Sequence, residues 1–314
     1  MSSTISFEGK VAIVTGAGRG LGRAYADELA RRGAAVVIND IGDGDQSAER
    51  AAEAIRSRGG RAVASNSSIA LPGTGRELVE LAASAFGGVH AVIHNAGMSM
   101  SKALADISDE DIELAYGVHV RGAFELLRSA WPVMREQGYG RVLLTSSGAG
   151  AFGREYGAVY CSAKAALIGL MRSLALEGAE YGVLVNAIMP YAQTGILNDN
   201  PIHGAGDDAR RITSAISDLY SADAVPSSAV APLAAYLCSN RCSISGASFS
   251  AGAGHFAEVF TGLTIGWPAE AARDTASAEE IDANLHLIRD RAGYLMPSSV
   301  ADEMERLAVL SGAR

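Results

Sequence analysis

An α/β fold, a doubly wound parallel sheet of about seven strands with a helical C-terminal extension, is what this sequence predicts. Three observations carry that reading. Short apolar runs alternate with stretches of helical apolar spacing; the runs are continuously apolar, as suits strands covered on both faces; and a glycine-rich turn joins the first run to the first helix. Right-handed crossovers in such a sheet put ligands beyond the carboxyl ends of the strands, so functional residues are expected there.

In order along the chain, strands are expected over 11–16, 35–40, 61–66, 91–97, 141–147, 183–190 and 248–252, with helices over 22–32, 46–58, 76–86 and 158–170. The alternation ends near 254, so residues 1–254 are expected to form one domain and 255–314 an appended extension. Trp267-Pro268 breaks the chain there, and amphipathic helices are expected over 278–292 and 299–310. Trp267, Leu285, Ile288 and Leu295 are the expected anchors of this tail, either over its own pocket or over a neighbouring subunit's. The weakly patterned stretch 191–226, with Gly195, Gly204, Gly206 and two prolines, reads as a lid.

The 314 residues suffice for a sizeable core. Twenty-six basic against thirty-five acidic side chains give a net charge of −9, which repels phosphate backbones. A small-molecule substrate and copies of the same chain are therefore the expected partners, with no nucleic acid and no membrane. Three cysteines, Cys161, Cys238 and Cys242, lack metal-ligand spacing, so reduced thiols, no metal and a cytoplasmic setting are expected. The first ten residues include Glu8 and no continuous apolar stretch, so no signal peptide is expected. No window reaches roughly eighteen uninterrupted apolar residues, the length of a membrane span.

The segment Thr15-Gly-Ala-Gly-Arg-Gly-Leu-Gly22 follows a strand and opens a helix. Gly16, Gly20 and Gly22, with Arg19 and Leu21 between them, let the backbone turn tightly and approach a pyrophosphate at the helix N-terminus. A plain strand-to-helix loop is the bland alternative. Asp40 ends the second strand 24 positions after Gly16, where a carboxylate meets the adenosine ribose hydroxyls. Against the additional phosphate of NADP it would cost roughly 4 kcal/mol per unit charge pair at about 4 Å and an effective dielectric near 20, so NAD is the expected cofactor. Arg19 is placed either to pair with such a phosphate or to balance Asp40, and Asp40 also reads as a strand-end turn residue.

Tyr160 and Lys164 lie four apart in a helical stretch and so share one face. A phenol that ionises near 10 is a poor base at neutral pH, but a nearby ammonium favours the phenolate, so Lys164 is expected to lower Tyr160. Such a pair is commonplace on helix surfaces. Ser146-Ser147, at the end of the strand beginning at 141 and thirteen positions before Tyr160, corroborates it.

Strand-end serine, short loop and tyrosine-bearing helix, placed after a dinucleotide turn, resemble the short-chain dehydrogenase/reductase family and its Rossmann-like fold. The likeness covers about residues 7–254 and includes the turn His94-Asn95-Ala96-Gly97 and Asn186-Ala-Ile-Met-Pro190 in the family's order. It implies that Tyr160 is the general acid/base and that Ser147 hydrogen-bonds the substrate oxygen. It implies also that Lys164 holds the nicotinamide ribose and that Asn95, Ala96 and Gly97 support the adenine ribose and central sheet. By the same likeness Pro190 flanks the nicotinamide and Thr194 bonds its carboxamide or the pyrophosphate. Family members pair through two long helices, matched here by 124–134 and 167–176, so a homodimer or homotetramer is expected.

Two departures stand out. His119 occupies the place of the family's asparagine, which links the lysine to solvent through a water; it is either a proton shuttle or a satisfied structural histidine. Asn66-Ser67-Ser68 replaces the acidic residue that commonly follows the third strand, leaving Ser67 as the candidate for the adenine amino contact. Tyr191 after Pro190 and Ala251-Gly-Ala-Gly254 border the expected pocket. The segments 37–42, 118–124 and 231–238 are similar to the hydroxyacyl-CoA dehydrogenase domains of peroxisomal multifunctional enzymes and their bacterial steroid-pathway relatives. The expected reaction is hydride transfer between nicotinamide and a secondary alcohol or ketone. The substrate is either an acyl-CoA thioester or a lipophilic ring compound bound by Phe152, Tyr156, Met189, Tyr191, Ile196 and Leu197. An NADP-dependent ketoreductase and a catalytically silent nucleotide sensor are the alternatives.

Overall fold

The computed structural model describes residues 4–42, 47–192, 210–211, 214, 225–268 and 276–310. Their contacts divide the chain into two units, Met1–Val259 and Phe260–Arg314.

The first unit is an eight-stranded sheet in the order β3-β2-β1-β4-β5-β6-β7-β8. Its strands are β1 Val11–Thr15, β2 Ala35–Asn39, β3 Arg61–Ser65, β4 Ala91–His94, β5 Gly140–Thr145, β6 Val183–Tyr191, β7 Ser248–Gly252 and β8 His255–Val259. All neighbours pair parallel except β7 with β8. The chain order reverses between β1 and β4, the switch point at which such sheets open a ligand crevice. Seven strands stand where apolar runs predicted them. The eighth returns antiparallel on the edge of β7, with His255 and Phe256 exposed, so it buries too little to carry an apolar signature.

Helices cover both faces, as continuously apolar strands require. On one, α1 Gly20–Arg31 and α2 Ala48–Arg56 pack Tyr25, Leu29 and Ile55 against Val36 and Ile38. On the other, α3 Thr74–Phe86, α5 Gly122–Gln137 and α7 Ala158–Gly178 bring Leu78, Leu126, Met134, Leu167 and Met171 onto Ile13, Val37 and Val185. A Cβ on Gly75 would stand 2.3 Å from the Glu125 carbonyl carbon, so α3 meets α5 backbone to side-chain-free backbone. Between them α4 Asp109–Tyr116, opened by a Ser108/Asp111 capping box, runs into α5 through a π-helical turn, Gly117–Arg121. The short α6 Gly148–Phe152 follows β5, and α8 Ala231–Cys238 precedes β7.

Among the described residues one helical stretch, Ala158–Tyr181, is by length and composition long and apolar enough to reach across a membrane. Its Leu167, Met171 and Ala175 are buried in the second core, which accounts for the apolarity.

In the second unit the helix expected over 278–292 is broken. Asn284, at φ −103° and ψ 9°, separates α9 Ala278–Ala283 from α10 Leu285–Ile288. The last helix, α11 Val300–Leu310, lies where a helix was expected. Within the unit Leu263 pairs antiparallel with Leu295, Phe260 stacks on Tyr294, and Arg306 donates to the Ile265 carbonyl at 2.7 Å.

Candidate active site

The glycine turn is shaped by what it lacks. Gly16 sits at φ +63°, and a Cβ there would lie 2.7 Å from the Ala96 Cα; one on Gly22 would lie 2.2 Å from the Gly16 carbonyl oxygen. Neither gap can be opened by turning a side chain, because the obstacles are backbone. The floor of the turn is Thr15, whose hydroxyl accepts from the backbone N–H groups of Asn95 and Ala96, each at 3.1 Å. Asn95 Nδ2 donates in return to the Gly16 carbonyl at 3.0 Å. Arg19 stands at the N-cap of α1 in extended conformation and makes no side-chain capping bond, and Leu21 packs its side chain on the first core. Gly20, at φ +57°, begins the helix. A bare helix start beside a side-chain-free turn suits the pyrophosphate of a dinucleotide.

Asp40 lies at the end of β2 beside this turn. Its Oδ2 accepts from the Gly18 N–H at 2.8 Å and its Oδ1 from the Gly42 N–H at 2.9 Å, so the carboxylate is fixed at the mouth of the crevice with lone pairs to spare. Ser67 follows β3 and its carbonyl accepts from Asn39 Nδ2 at 2.8 Å, but its hydroxyl donates to Glu77 at 3.1 Å.

The reacting side chains come from three elements. Ser147 leaves β5 and caps α6, its Oγ accepting from the Ala149 N–H at 3.2 Å. It also faces the hydroxyl of Tyr160, on the first turn of α7, and acts to lower its proton affinity. One turn later Lys164 is buried and donates to the Thr145 carbonyl at 2.7 Å, while Ser146 Oγ donates to the Lys164 carbonyl at 2.8 Å. Gly97 joins the two halves: a Cβ there would approach Lys164 Nζ to 3.4 Å and His119 Cε1 to 2.6 Å. The serine, tyrosine and lysine are thus assembled beside the Asn95–Gly97 turn that braces Gly16.

The electrostatics differ from the expectation. Burial pushes the Tyr160 hydroxyl up, opposed by the polar Ser147 side chain and by the Arg154 guanidinium. Burial also pulls Lys164 down to about 7. Taking both groups out of water disfavours both charged forms, so Lys164 is not the strong tuner that spacing alone suggested.

His119 lies in the π-helical turn, buried, with its ring edge-on to Tyr160 at 5.8 Å between centroids. Its Nε2 lies 2.9 Å from the Met98 carbonyl oxygen and 3.3 Å from the Met98 N, donating to the first in one tautomer and accepting from the second in the other, while the buried Nδ1 has no partner and lies on the Gly97 side. Burial first, then Lys164, hold it well below the usual histidine range, which makes it a neutral hydrogen-bonding ring. Below it, His94 Nε2 lies 3.1 Å from the His119 carbonyl, and its Nδ1 3.3 Å from the Thr15 hydroxyl.

Pro190 sits on β6, paired with Ala251. Thr194, Ile196 and Leu197, with most of 191–226, lie outside the described residues. Phe152, Tyr156 and Tyr191 are exposed, as pocket-lining groups must be, but Met189 is buried within β6 and presents nothing to a ligand. Tyr191 rests on α6: a Cβ on Gly148 would meet its hydroxyl at 2.1 Å. Thr15 and His94 were quoted only as parts of motifs, and Arg154 went unremarked because nothing in its local spacing marks it.

A family model described as short chain dehydrogenase matches residues 10–200. The chain is 34% identical over 320 residues to a mouse protein named peroxisomal multifunctional enzyme type 2, covering 100% of this chain and 38% of that one. It is 38% identical over 218 residues to a Mycobacterium tuberculosis protein named hydroxyacyl-CoA dehydrogenase ChsB1, covering 66% and 68%. Among solved structures, full-length peroxisomal multifunctional enzyme type 2 from Drosophila melanogaster superposes with a TM-score of 0.80 at 28% identity, over 98% of this chain and 50% of that one. The chain thus spans half or less of these multifunctional proteins. Sheet order, glycine turn and family model agree: the chain belongs to the short-chain dehydrogenases, oxidoreductases that use a nicotinamide cofactor.

Proposed function

We propose that this protein oxidises the secondary alcohol of a 3-hydroxyacyl-CoA thioester, or reduces the corresponding ketone, with NAD as cofactor and Tyr160 as general acid/base. The observation that carries the reading is the convergence of three side chains: Ser147 faces the Tyr160 hydroxyl, and Lys164 Nζ, one turn on, lies 5.9 Å from the Tyr160 ring centroid and borders Gly97.

Nicotinamide, when bound, supplies the hydride acceptor. Gly16, Gly20 and Gly22 would hold its pyrophosphate, Asp40 the adenosine ribose, Asn95 to Gly97 and Pro190 the central crevice, and Lys164 the second ribose through the donors that Thr145 leaves over. Ser147 Oγ bonds the substrate oxygen and sets it against Tyr160. Tyr160 Oη takes the hydroxyl proton in oxidation and returns it in reduction. Asp40 supports NAD, because a 2′-phosphate beside a carboxylate already fixed by two backbone N–H groups meets like charge. Exposed Phe152, Tyr156 and Tyr191 support a lipophilic acyl group, and the name of the mycobacterial relative supports the thioester. Exposed Phe124 on α5 and Leu176 on α7 support assembly of copies through those helices.

Purified full-length chain, given NAD and a series of 3-hydroxyacyl-CoA thioesters beside lipophilic secondary alcohols, is expected to form NADH fastest with the thioesters. Tyr160→Phe is expected to lose about 10³-fold in kcat while still binding NAD. Binding of NAD without turnover of any alcohol would sink the enzymatic reading.

A further inference from the structure

We propose that Arg154 is a positioning residue for the reaction: its guanidinium supplies the fixed positive charge that favours the ionised Tyr160 hydroxyl. This rests on the reading of Tyr160 as acid/base.

The loop from Gly153 to Gly157 is tied at two points to the segment after β4. Arg154 Nη2 donates to the Met100 carbonyl and the Lys102 N–H to the Tyr156 carbonyl, both at 2.8 Å. The second tie coincides with a left-handed backbone at Tyr156, φ +57°, one of two non-glycine residues with positive φ among those described. Gly157 then leaves room for the arginine. A Cβ there would lie 3.2 Å from Arg154 Nε and 2.8 Å from Cys161 Sγ, so the guanidinium can fold back over the start of α7. Its Cζ lies 5.3 Å from the Tyr160 ring centroid, nearer than Lys164 Nζ at 5.9 Å. Nε is buried without a partner, and among the described residues no carboxylate pairs with this cation.

The groups facing Tyr160 are Ser147 from the N-cap of α6, Arg154 from the loop, Cys161 and Lys164 from its own helix, Tyr191 from the end of β6 and His119 from the π-helical turn. Cys161 and Tyr191 oppose ionisation of the phenol; His119 is neutral. Lys164, near 7, is only partly charged at neutral pH, whereas a guanidinium keeps its charge at any pH the fold survives. An opposite charge at this range lowers a phenol by one unit or more. Arg154 is therefore the constant cation beside Tyr160 and Lys164 the variable one.

A staple that merely fixed the loop would hold Met100 without affecting proton transfer, and the pH profile separates the two roles. In full-length chain with NAD and the best 3-hydroxyacyl-CoA, the acid limb of kcat/KM for oxidation is followed in wild type, Arg154→Gln, Arg154→Met and Arg154→Lys. Gln keeps a donor for Met100 and loses the charge. The expected result is a limb moved up by about one pH unit in the Gln and Met variants and returned by at least half in Lys. If Met fails to fold, Gln alone carries the test. An unmoved limb in Gln, whatever happens to stability or KM, overturns the proposal. Tyr160→Phe runs alongside: if it keeps turnover, the acid/base reading itself fails, whereas an inactive Tyr160→Phe with an unmoved Gln limb overturns the role of Arg154 alone.

Discussion

The two halves of the sheet that meet at Gly97 are built on opposite principles. In the half around β1 and β2 the site is made of backbone, and its critical positions are those where a side chain would collide: Gly16 against Ala96, Gly22 against Gly16. In the half around β5 and α7 it is made of polar side chains, each held by a neighbour's backbone: buried Lys164 by the Thr145 carbonyl, half-buried Ser147 by the Ala149 N–H, buried His119 by the Met98 carbonyl. The first half is sensitive to volume and the second to charge and proton occupancy. A substitution should therefore fail differently on the two sides.

The largest effect is expected at Gly22→Ala. A methyl group 2.2 Å from the Gly16 carbonyl oxygen forces backbone movement, so NAD affinity should fall at least about 100-fold with melting temperature also reduced. Titration calorimetry checks it, and retained affinity would break the contrast.

Next comes a pH signature on the other side. Lys164 falls from 10.5 to about 7 on folding, so between those values the unfolded chain binds a proton that the folded chain lacks. This group's contribution makes stability rise with pH across that window, by up to about 1.4 kcal/mol per pH unit. Denaturant midpoints at two pH values inside it should show a slope that Lys164→Met flattens. His94, pulled down to about 4, acts at lower pH with the same sign: stability present above 6.5 is lost as pH falls toward 4.

Asp40→Ala should raise NADP relative to NAD by at least about tenfold in kcat/KM as one solvent-screened like-charge contact is relieved. Unchanged preference would remove Asp40 from cofactor choice. Smallest of all, Ser67→Ala should alter NAD affinity by less than about twofold, because that hydroxyl is already given to Glu77 at the surface.

What could be read from sequence follows the same division. Glycine turn and strands 11–16 to 248–252 were legible because main-chain constraints leave a local trace: a glycine where a collision would occur, an apolar run where both faces are covered. Ser147, Tyr160 and Lys164 were legible as a spacing. Their proton affinities were not, since desolvation depends on packing from α6 and the π-helical turn. Arg154 was illegible because its anchor, Met100, lies 54 positions away. β8 was missed because an edge strand needs little apolar content, and the break at Asn284 because amphipathic spacing continues across it.

Tyr156 places two demands on one residue. At φ +57° glycine would sit more easily, so replacing the tyrosine should raise heat resistance by about 1 kcal/mol while trimming an aromatic surface from the rim of the pocket. Adaptation to higher temperature and, on the proposed function, to bulkier lipophilic substrates would then compete at a single codon, and a lineage that gained one would be expected to surrender part of the other.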